Sequence, residues 1–164
     1  MISRRQITSR QALERLRDLC SRSEHCTAEI AKKLYSWGIG PTDSEKIIAS
    51  LCRDRYIDDE RFAHAFVRDK FYFNHWGRLK IRAALASKRI DRQTADSAMD
   101  EEITETDYEA SLLTLLKAKA RSIKASPDDY DSLSKLIRFA VARGYESARV
   151  IALVKSRRLW DEEL

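Results

Sequence analysis

The stretch IRAALASKRI at residues 81–90 contains a pattern that occurs twice more in the chain. Residues 30–39 read IAKKLYSWGI and residues 136–145 read LIRFAVARGY, and the three blocks align without gaps. Block positions one, five and ten are apolar, and positions one and five lie on the same face of a helix. Position nine, where glycine favours the left-handed conformation that ends a helix, is occupied by Gly38, Arg89 and Gly144. Each block therefore predicts a short helix with a defined end.

The blocks recur about every 50 residues, and one helical pattern precedes each block while another follows it. Arrays of like units share cores between neighbours and offer one long surface to a partner. With only four Gly and two Pro in 164 residues, the predicted fold class is all-α, with three tandem three-helix repeats forming an elongated, curved array. The predicted boundaries are a flexible basic N-terminal tail at 1–8, repeats at 9–57, 58–104 and 105–158, and a C-terminal tail at 159–164.

Capping residues predict where several of the nine helices begin. Asp58 and Asp91 each precede an apolar helical pattern, and a proline at position 127 is tolerated in a first helical turn. The remaining start signals are Thr27, capping boxes at 42–45 and 106–109, and Ser147.

The overall composition limits the classes of function. The chain has 31 basic and 26 acidic residues, a formal net charge of +5 and a pI near 9.2, which permits a polyanionic partner. Three cysteines without CxxC spacing indicate neither a disulfide framework nor a zinc site, and they fit a reducing cytoplasm. The sequence contains neither a run of 18 apolar residues nor the apolar run of a signal peptide. We therefore expect a cytoplasmic protein that needs no metal, cofactor or membrane. A monomer is also expected, although no sequence feature determines the oligomeric state.

Basic side chains are concentrated in the second repeat. Residues 68–92 hold eight basic against two acidic residues, although 58–104 is neutral as a whole. On an ideal helix, Arg78, Arg82 and Arg89 lie within about 40° of one another and form a basic ridge. Such a ridge can bind a phosphate backbone or an acidic protein groove, or it can be a solvated face whose aliphatic stems cover the core. The predicted partner-binding or nucleic-acid-binding residues are Arg61, Arg68, Lys70, Arg78, Lys80, Arg82, Lys88, Arg89 and Arg92.

Two further clusters have a chemical and a structural interpretation. The aromatic residues at 71–73 and Trp76 can stack on bases or fill the corner between two helices, and we favour the second. The carboxylates at 58–60 can hold Mg²⁺, but consecutive residues at a helix start do not converge on one ion, so capping is favoured. The sequence has no glycine-rich phosphate loop and no Ser or Cys nucleophile motif, and its histidines have no spacing suited to acid–base catalysis. We therefore predict a non-enzymatic protein.

A family resemblance is carried by DDERFA at residues 58–63 and by the FVR, Gly77 and Ile81-Arg82 that follow. With these residues the chain resembles the RecX family of bacterial recombination regulators. The segments EIAKKL at 29–34 and LIRF at 136–139 match more loosely, and the chain departs from the family at Arg89, where glycine is usual. The resemblance implies three-helix repeats and a protein that binds RecA and RecA–single-stranded DNA filaments in the filament groove. It also implies restraint of filament growth, ATP hydrolysis and strand exchange, and hence modulation of DNA repair and the SOS response.

Two other functions stay open. A DNA-binding protein of the helix-turn-helix type also uses three-helix units, but reading bases would require Asn, Gln or Arg aimed at base edges, whereas these blocks carry mostly Ala, Leu and Lys. Any DNA binding is therefore expected to be independent of sequence. A helical scaffold that binds only protein would show little salt dependence, whereas phosphate contact makes affinity fall steeply with salt.

Overall fold

The computed structural model describes residues 6–161, and all regular structure within them is helical. The predicted fold class of three tandem three-helix repeats is confirmed. The first repeat consists of α1 (Ser9–Arg22), α2 (Thr27–Ser36) and α3 (Pro41–Arg53). The second consists of α4 (Asp59–Arg68), a π-helical turn (Asp69–Phe73), α5 (Arg78–Ser87) and α6 (Arg92–Glu102). The third consists of α7 (Glu105–Ile123), α8 (Tyr130–Ala142) and α9 (Ser147–Val154), and the short α10 (Arg157–Trp160) follows it.

The three repeated blocks form α2, α5 and α8 together with the turns that end them. All nine apolar block positions are buried, as their helical spacing predicts. The residues at position nine have φ angles of 76° at Gly38, 57° at Arg89 and 96° at Gly144, so each block ends in the left-handed region. Arg89 adopts this conformation without the freedom of glycine, which costs roughly 1–2 kcal/mol.

Two hydrophobic cores hold the described residues together. The first repeat has its own core of eight buried residues, from Ala12 to Ile57. The second core runs through the second and third repeats, from Phe62 to Leu159, and takes in Cys26 from the start of α2. The accessible surface is 11044 Å², whereas a compact monomer of 19.0 kDa exposes about 8,400 Å². The excess surface agrees with an extended array.

Several helices begin at other residues than the capping signals predicted. Asp58 and Asp91 do cap α4 and α6, since each carboxylate accepts a bond from the backbone N–H three residues on. The predicted box at 42–45 is wrong, because Pro41 takes the first turn of α3 and Gly40 precedes it. Thr104, directly after buried Ile103, caps α7 in place of the box at 106–109. The predicted starts at Thr27 and Pro127 are also wrong, since Cys26 and Asp129 occupy those N-cap positions.

The two predicted tails lie partly in ordered structure. Residues 1–5 and 162–164 lie outside the described residues. Thr8, by contrast, forms a capping box with Gln11 at the start of α1. At the other end, Leu159 in α10 is buried and the Trp160 indole donates to the Val154 carbonyl at 3.0 Å. Helical structure that packs on the third repeat therefore continues past residue 158.

Candidate partner-binding surface

The block helices of the second and third repeats meet end to end. The Gly77 amide donates to the Arg143 carbonyl at 2.8 Å, and the Leu79 amide donates to the Gly144 carbonyl at 3.0 Å. These bonds satisfy free N–H groups at the start of α5, which has no side-chain cap. A Cβ on Gly77 would lie 2.4 Å from the Gly144 carbonyl, and one on Gly144 would lie 2.4 Å from the Cβ of Lys80. The two glycines therefore permit the close backbone contact between α5 and α8.

The equivalent ends meet between the first and second repeats. Cys26 takes the position of Gly77, and its Sγ lies 3.9 Å from the Lys88 carbonyl. Here a side chain accepts the hydrogen bond of a free N–H group at the start of α2. Asp59 Oδ1 accepts from the Thr27 amide at 2.8 Å and from the Thr27 hydroxyl at 3.1 Å. The repeats thus join through the same pair of helix ends at both junctions.

Two of the predicted binding residues form ion pairs across the first junction. Arg61 Nε lies 2.7 Å from Glu24 in the loop between α1 and α2, and the same guanidinium donates to two backbone carbonyls before α4. Lys88 Nζ lies 2.6 Å from Glu29 of α2. Burial opposes ionisation of Glu29, but hydrogen bonds from Lys88 and His25 outweigh it, so its pKa lies below the usual value. Arg61 and Lys88 therefore hold the first repeat to the second.

Arg78 has the corresponding position at the second junction. Its side chain is only 14% exposed, lies 3.1 Å from Glu105, and stacks 4.0 Å from the centre of the Tyr108 ring. Glu105 also accepts from Arg149 at 2.7 Å, and that bond lowers the pKa of Glu105. Arg78 is therefore part of the interface between the second and third repeats.

Tyr108 is a central residue of this junction that the sequence did not single out. It is fully buried, its hydroxyl accepts from the Arg78 amide at 3.1 Å, and it donates to Glu146 at 2.7 Å. Burial raises the pKa of this hydroxyl. The Tyr108 ring packs against Phe71 and Tyr145 at centroid distances of 6.0 and 5.1 Å. The only local signal was an aromatic residue in the first turn of α7, because its partners come from the π-helical turn, from α5 and from the loop between α8 and α9.

Three other predicted residues form ion pairs within the second repeat. Arg68 lies 2.6 Å from Glu102, and Arg82 lies 2.9 Å from Asp96. Arg92 lies 3.5 Å from the other oxygen of Asp96, but its side chain is 81% exposed. The Arg92 guanidinium is therefore the most available of these three.

Lys70 and Lys80 lie over the ring of Trp76, at 5.1 and 4.4 Å from its centre. Trp76 is half-buried and packs edge-on against Phe66 at 6.5 Å.

Phe71 is buried in the core, as the corner-filling interpretation expects. Tyr72 and Phe73 differ, since both are exposed. Phe71 and Trp76 therefore fill the corner between helices, whereas Tyr72 and Phe73 form exposed surface.

The basic ridge inferred from the helical wheel does not form. Arg89 lies beyond the end of α5 with a left-handed backbone, so the angle of an ideal helix does not apply to it. The exposed face of α5 instead carries the uncharged residues Leu79, Ala83, Ala86 and Ser87. Arg89 is itself exposed, and among residues 6–161 it forms no ion pair.

The carboxylates at the start of α4 serve the fold. Asp58 caps the helix and Asp59 binds Thr27 of the neighbouring repeat. Within the described chain, no group of three His, Cys, Asp or Glu residues is arranged to hold a metal ion. The helices of that part also include none with the length and apolar composition required to cross a bilayer.

Comparison with known proteins assigns the family. The regulatory protein RecX of Vibrio parahaemolyticus is 33% identical over 145 residues, which are 88% of this chain and 90% of that protein. This chain belongs to the RecX family. The regulatory protein RecX of Vibrio campbellii is 35% identical over 127 residues, 77% of this chain and 79% of the relative. The sequence model of the second three-helix domain of RecX matches residues 58–99.

Solved RecX structures share the fold. A crystal structure of a regulatory protein RecX superposes with a TM-score of 0.78 at 23% identity, over 90% of this chain and 71% of that one. RecX from Lactobacillus salivarius superposes with a TM-score of 0.77 at 20% identity, over 90% and 94% of the two chains. The RecX fold therefore extends over nearly all of the chain, including the junctions between its repeats.

Proposed function

We propose that the protein is a non-enzymatic cytoplasmic regulator that binds RecA and RecA–single-stranded DNA filaments as a monomer. It inhibits filament growth, ATP hydrolysis and strand exchange, and so modulates DNA repair and recombination. The observation that carries the proposal is membership of the RecX family over 88% of the chain, at 33% identity to a regulatory protein RecX.

The way the repeats join supports a polymeric partner. Backbone hydrogen bonds and stacked aromatic rings join the second and third repeats, and ion pairs join the first and second, so neighbouring repeats are fixed relative to each other. A fixed array of three units presents one long surface at no ordering cost on binding. An assembled filament offers an equally extended surface, whereas a small ligand would use only one repeat.

Five of the nine predicted cations fall into two groups under this proposal. Arg61, Arg78 and Lys88 hold repeats together, so their role in binding is to shape the surface. Arg89 and Arg92 lie at the turn between α5 and α6, are exposed, and are the cations most available to a filament. An exposed guanidinium can bind a carboxylate or a phosphate through two parallel N–H groups.

Titration of recombinase ATP hydrolysis tests the function. RecA is assembled on single-stranded DNA, and its hydrolysis rate is followed while this protein is added at rising ratios. The expected result is inhibition at a molar ratio well below one per RecA, accompanied by shorter filaments in electron micrographs. An unchanged rate and unchanged filament length at saturating protein would remove the proposal.

A further inference from the structure

The outward face of α7 is open and built from small side chains. Ala110, Thr114 and Ala118 are exposed at intervals of four residues, while Leu112 and Leu116 on the other side are buried in the core. These three positions span about 12 Å of helix. Small side chains allow another backbone to approach closely, although they do not by themselves define a site.

An apolar cleft of about 390 Å³ lies between the first half of this face and the π-helical turn. Its walls include the rings of Phe71 and Tyr72, the Leu115 side chain and, at one edge, the Asp107 carboxylate. The next residue of the turn, Phe73, is 79% exposed. An apolar cleft beside exposed aromatic rings is the kind of surface that soluble proteins keep for a partner.

A second cleft of about 770 Å³ continues along α7, and Thr114 lines both clefts. Lys117, Arg121 and Lys124 line it together with a single carboxylate, that of Asp161. Within residues 6–161, neither Arg121 nor Lys124 forms an ion pair, in contrast to most cations of the second repeat. One end of the α7 face is therefore apolar and the other is cationic.

This pattern selects one kind of partner. A nucleic-acid strand would bring phosphates to the Asp107 end, where the lining is apolar and carries a negative charge. An amphipathic protein segment fits both ends, because its apolar side chains fill the first cleft while its carboxylates face Arg121 and Lys124. We propose that the α7 face docks an amphipathic, acidic segment of a protein. The segment belongs to the recombinase, an assignment that rests on the proposed function.

Two substitutions at exposed positions of α7 test the surface. Ala118→Arg places a large charged side chain in the lining of the first cleft, and Arg121→Glu reverses the charge at the cationic end. Ala49→Arg and Lys46→Glu make the same changes at exposed positions of α3 and are the matched controls. Each variant is titrated onto RecA filaments on labelled DNA and, separately, onto the bare single strand, and circular dichroism follows its melting.

The expected result is that each α7 variant binds filaments about tenfold more weakly, while both controls stay within twofold of wild type and all four melt normally. If wild type binds filaments and both α7 variants bind them with the same affinity, the proposed docking surface is wrong and the proposed function stands. If wild type itself does not bind, the proposed function fails. Tighter filament binding by Ala118→Arg, or loss of bare-strand binding by Arg121→Glu, would overturn the protein partner in favour of nucleic acid.

Discussion

Gly77 and Arg143 are joined by a 2.8 Å hydrogen bond from the amide of one to the carbonyl of the other, so that α5 begins where α8 ends. The bond requires the backbones to approach more closely than side chains permit, and a Cβ on Gly77 would lie 2.4 Å from Gly144 atoms. The relative position of the second and third repeats therefore depends on two residues without side chains.

Replacing either glycine with alanine is expected to destabilise the junction. Gly77→Ala forces the backbones apart at a cost of roughly 1–3 kcal/mol. Gly144→Ala adds the strain of a left-handed φ of 96° to a clash with Lys80. Gly40→Ala is the control, because no atom lies within 4 Å of its Cβ, and it should change the free energy of unfolding by less than about 1 kcal/mol. Denaturant unfolding measures all three, and an equal effect at Gly40 and Gly77 would contradict the junction argument.

Arg89→Gly is expected to stabilise the protein. Arg89 holds a φ of 57° at the position where the other two blocks have glycine, and the strain released exceeds the added freedom of the unfolded chain. The expected gain is about 0.5–1 kcal/mol in the free energy of unfolding. Arg92→Gly, inside the first turn of α6, should instead cost up to about 1 kcal/mol. A loss of stability on Arg89→Gly would show that the Arg89 side chain makes a stabilising contact.

Sequence patterns predicted some features of the fold because those features are local. Burial of Ile81 and Leu85 follows from a spacing of four residues, and the left-handed end at Arg89 follows from alignment with the other blocks. The contacts made by the basic side chains could not be predicted in this way. Whether Arg78 faces water or the Tyr108 ring depends on how the third repeat packs on the second, which no local pattern records. The predicted basic ridge was wrong for that reason. It was also wrong because a helical wheel assumes a continuous helix, whereas α5 ends at Ser87, before Arg89.

The ion pair between Lys88 and Glu29 predicts acid sensitivity of the first junction. The pKa of Glu29 is lower in the folded protein than its usual value of 4.5. Its stabilising contribution is therefore complete above the unfolded-state pKa and is lost as the pH falls through the folded-state pKa. Glu29→Gln should lower the free energy of unfolding at pH 7, and the difference from wild type should shrink by pH 3. Glu45→Gln, the same substitution at an exposed position of α3, is the matched control.

Exposed cations at the α5–α6 turn give the sharpest test of filament contact. The ridge expected from the sequence combined Arg78, Arg82 and Arg89, but Arg78 and Arg82 form ion pairs and their loss would also disturb the structure. Arg89→Gln combined with Arg92→Gln leaves both junctions intact, since the Arg92 pair with Asp96 is exposed and worth little. The double variant should bind RecA filaments about tenfold more weakly and melt as wild type does.

Salt dependence then identifies what these two guanidiniums contact. If they bind phosphates of the single strand, the slope of log affinity against log salt should become shallower by about 0.7 for each one removed. If they bind carboxylates of the recombinase, the affinity should fall with a smaller change in slope. Arg10→Gln combined with Arg22→Gln removes two exposed, ion-paired arginines of α1 and is the matched control. Equal weakening by the control pair would mean that net charge, and not contact at the α5–α6 turn, governs binding.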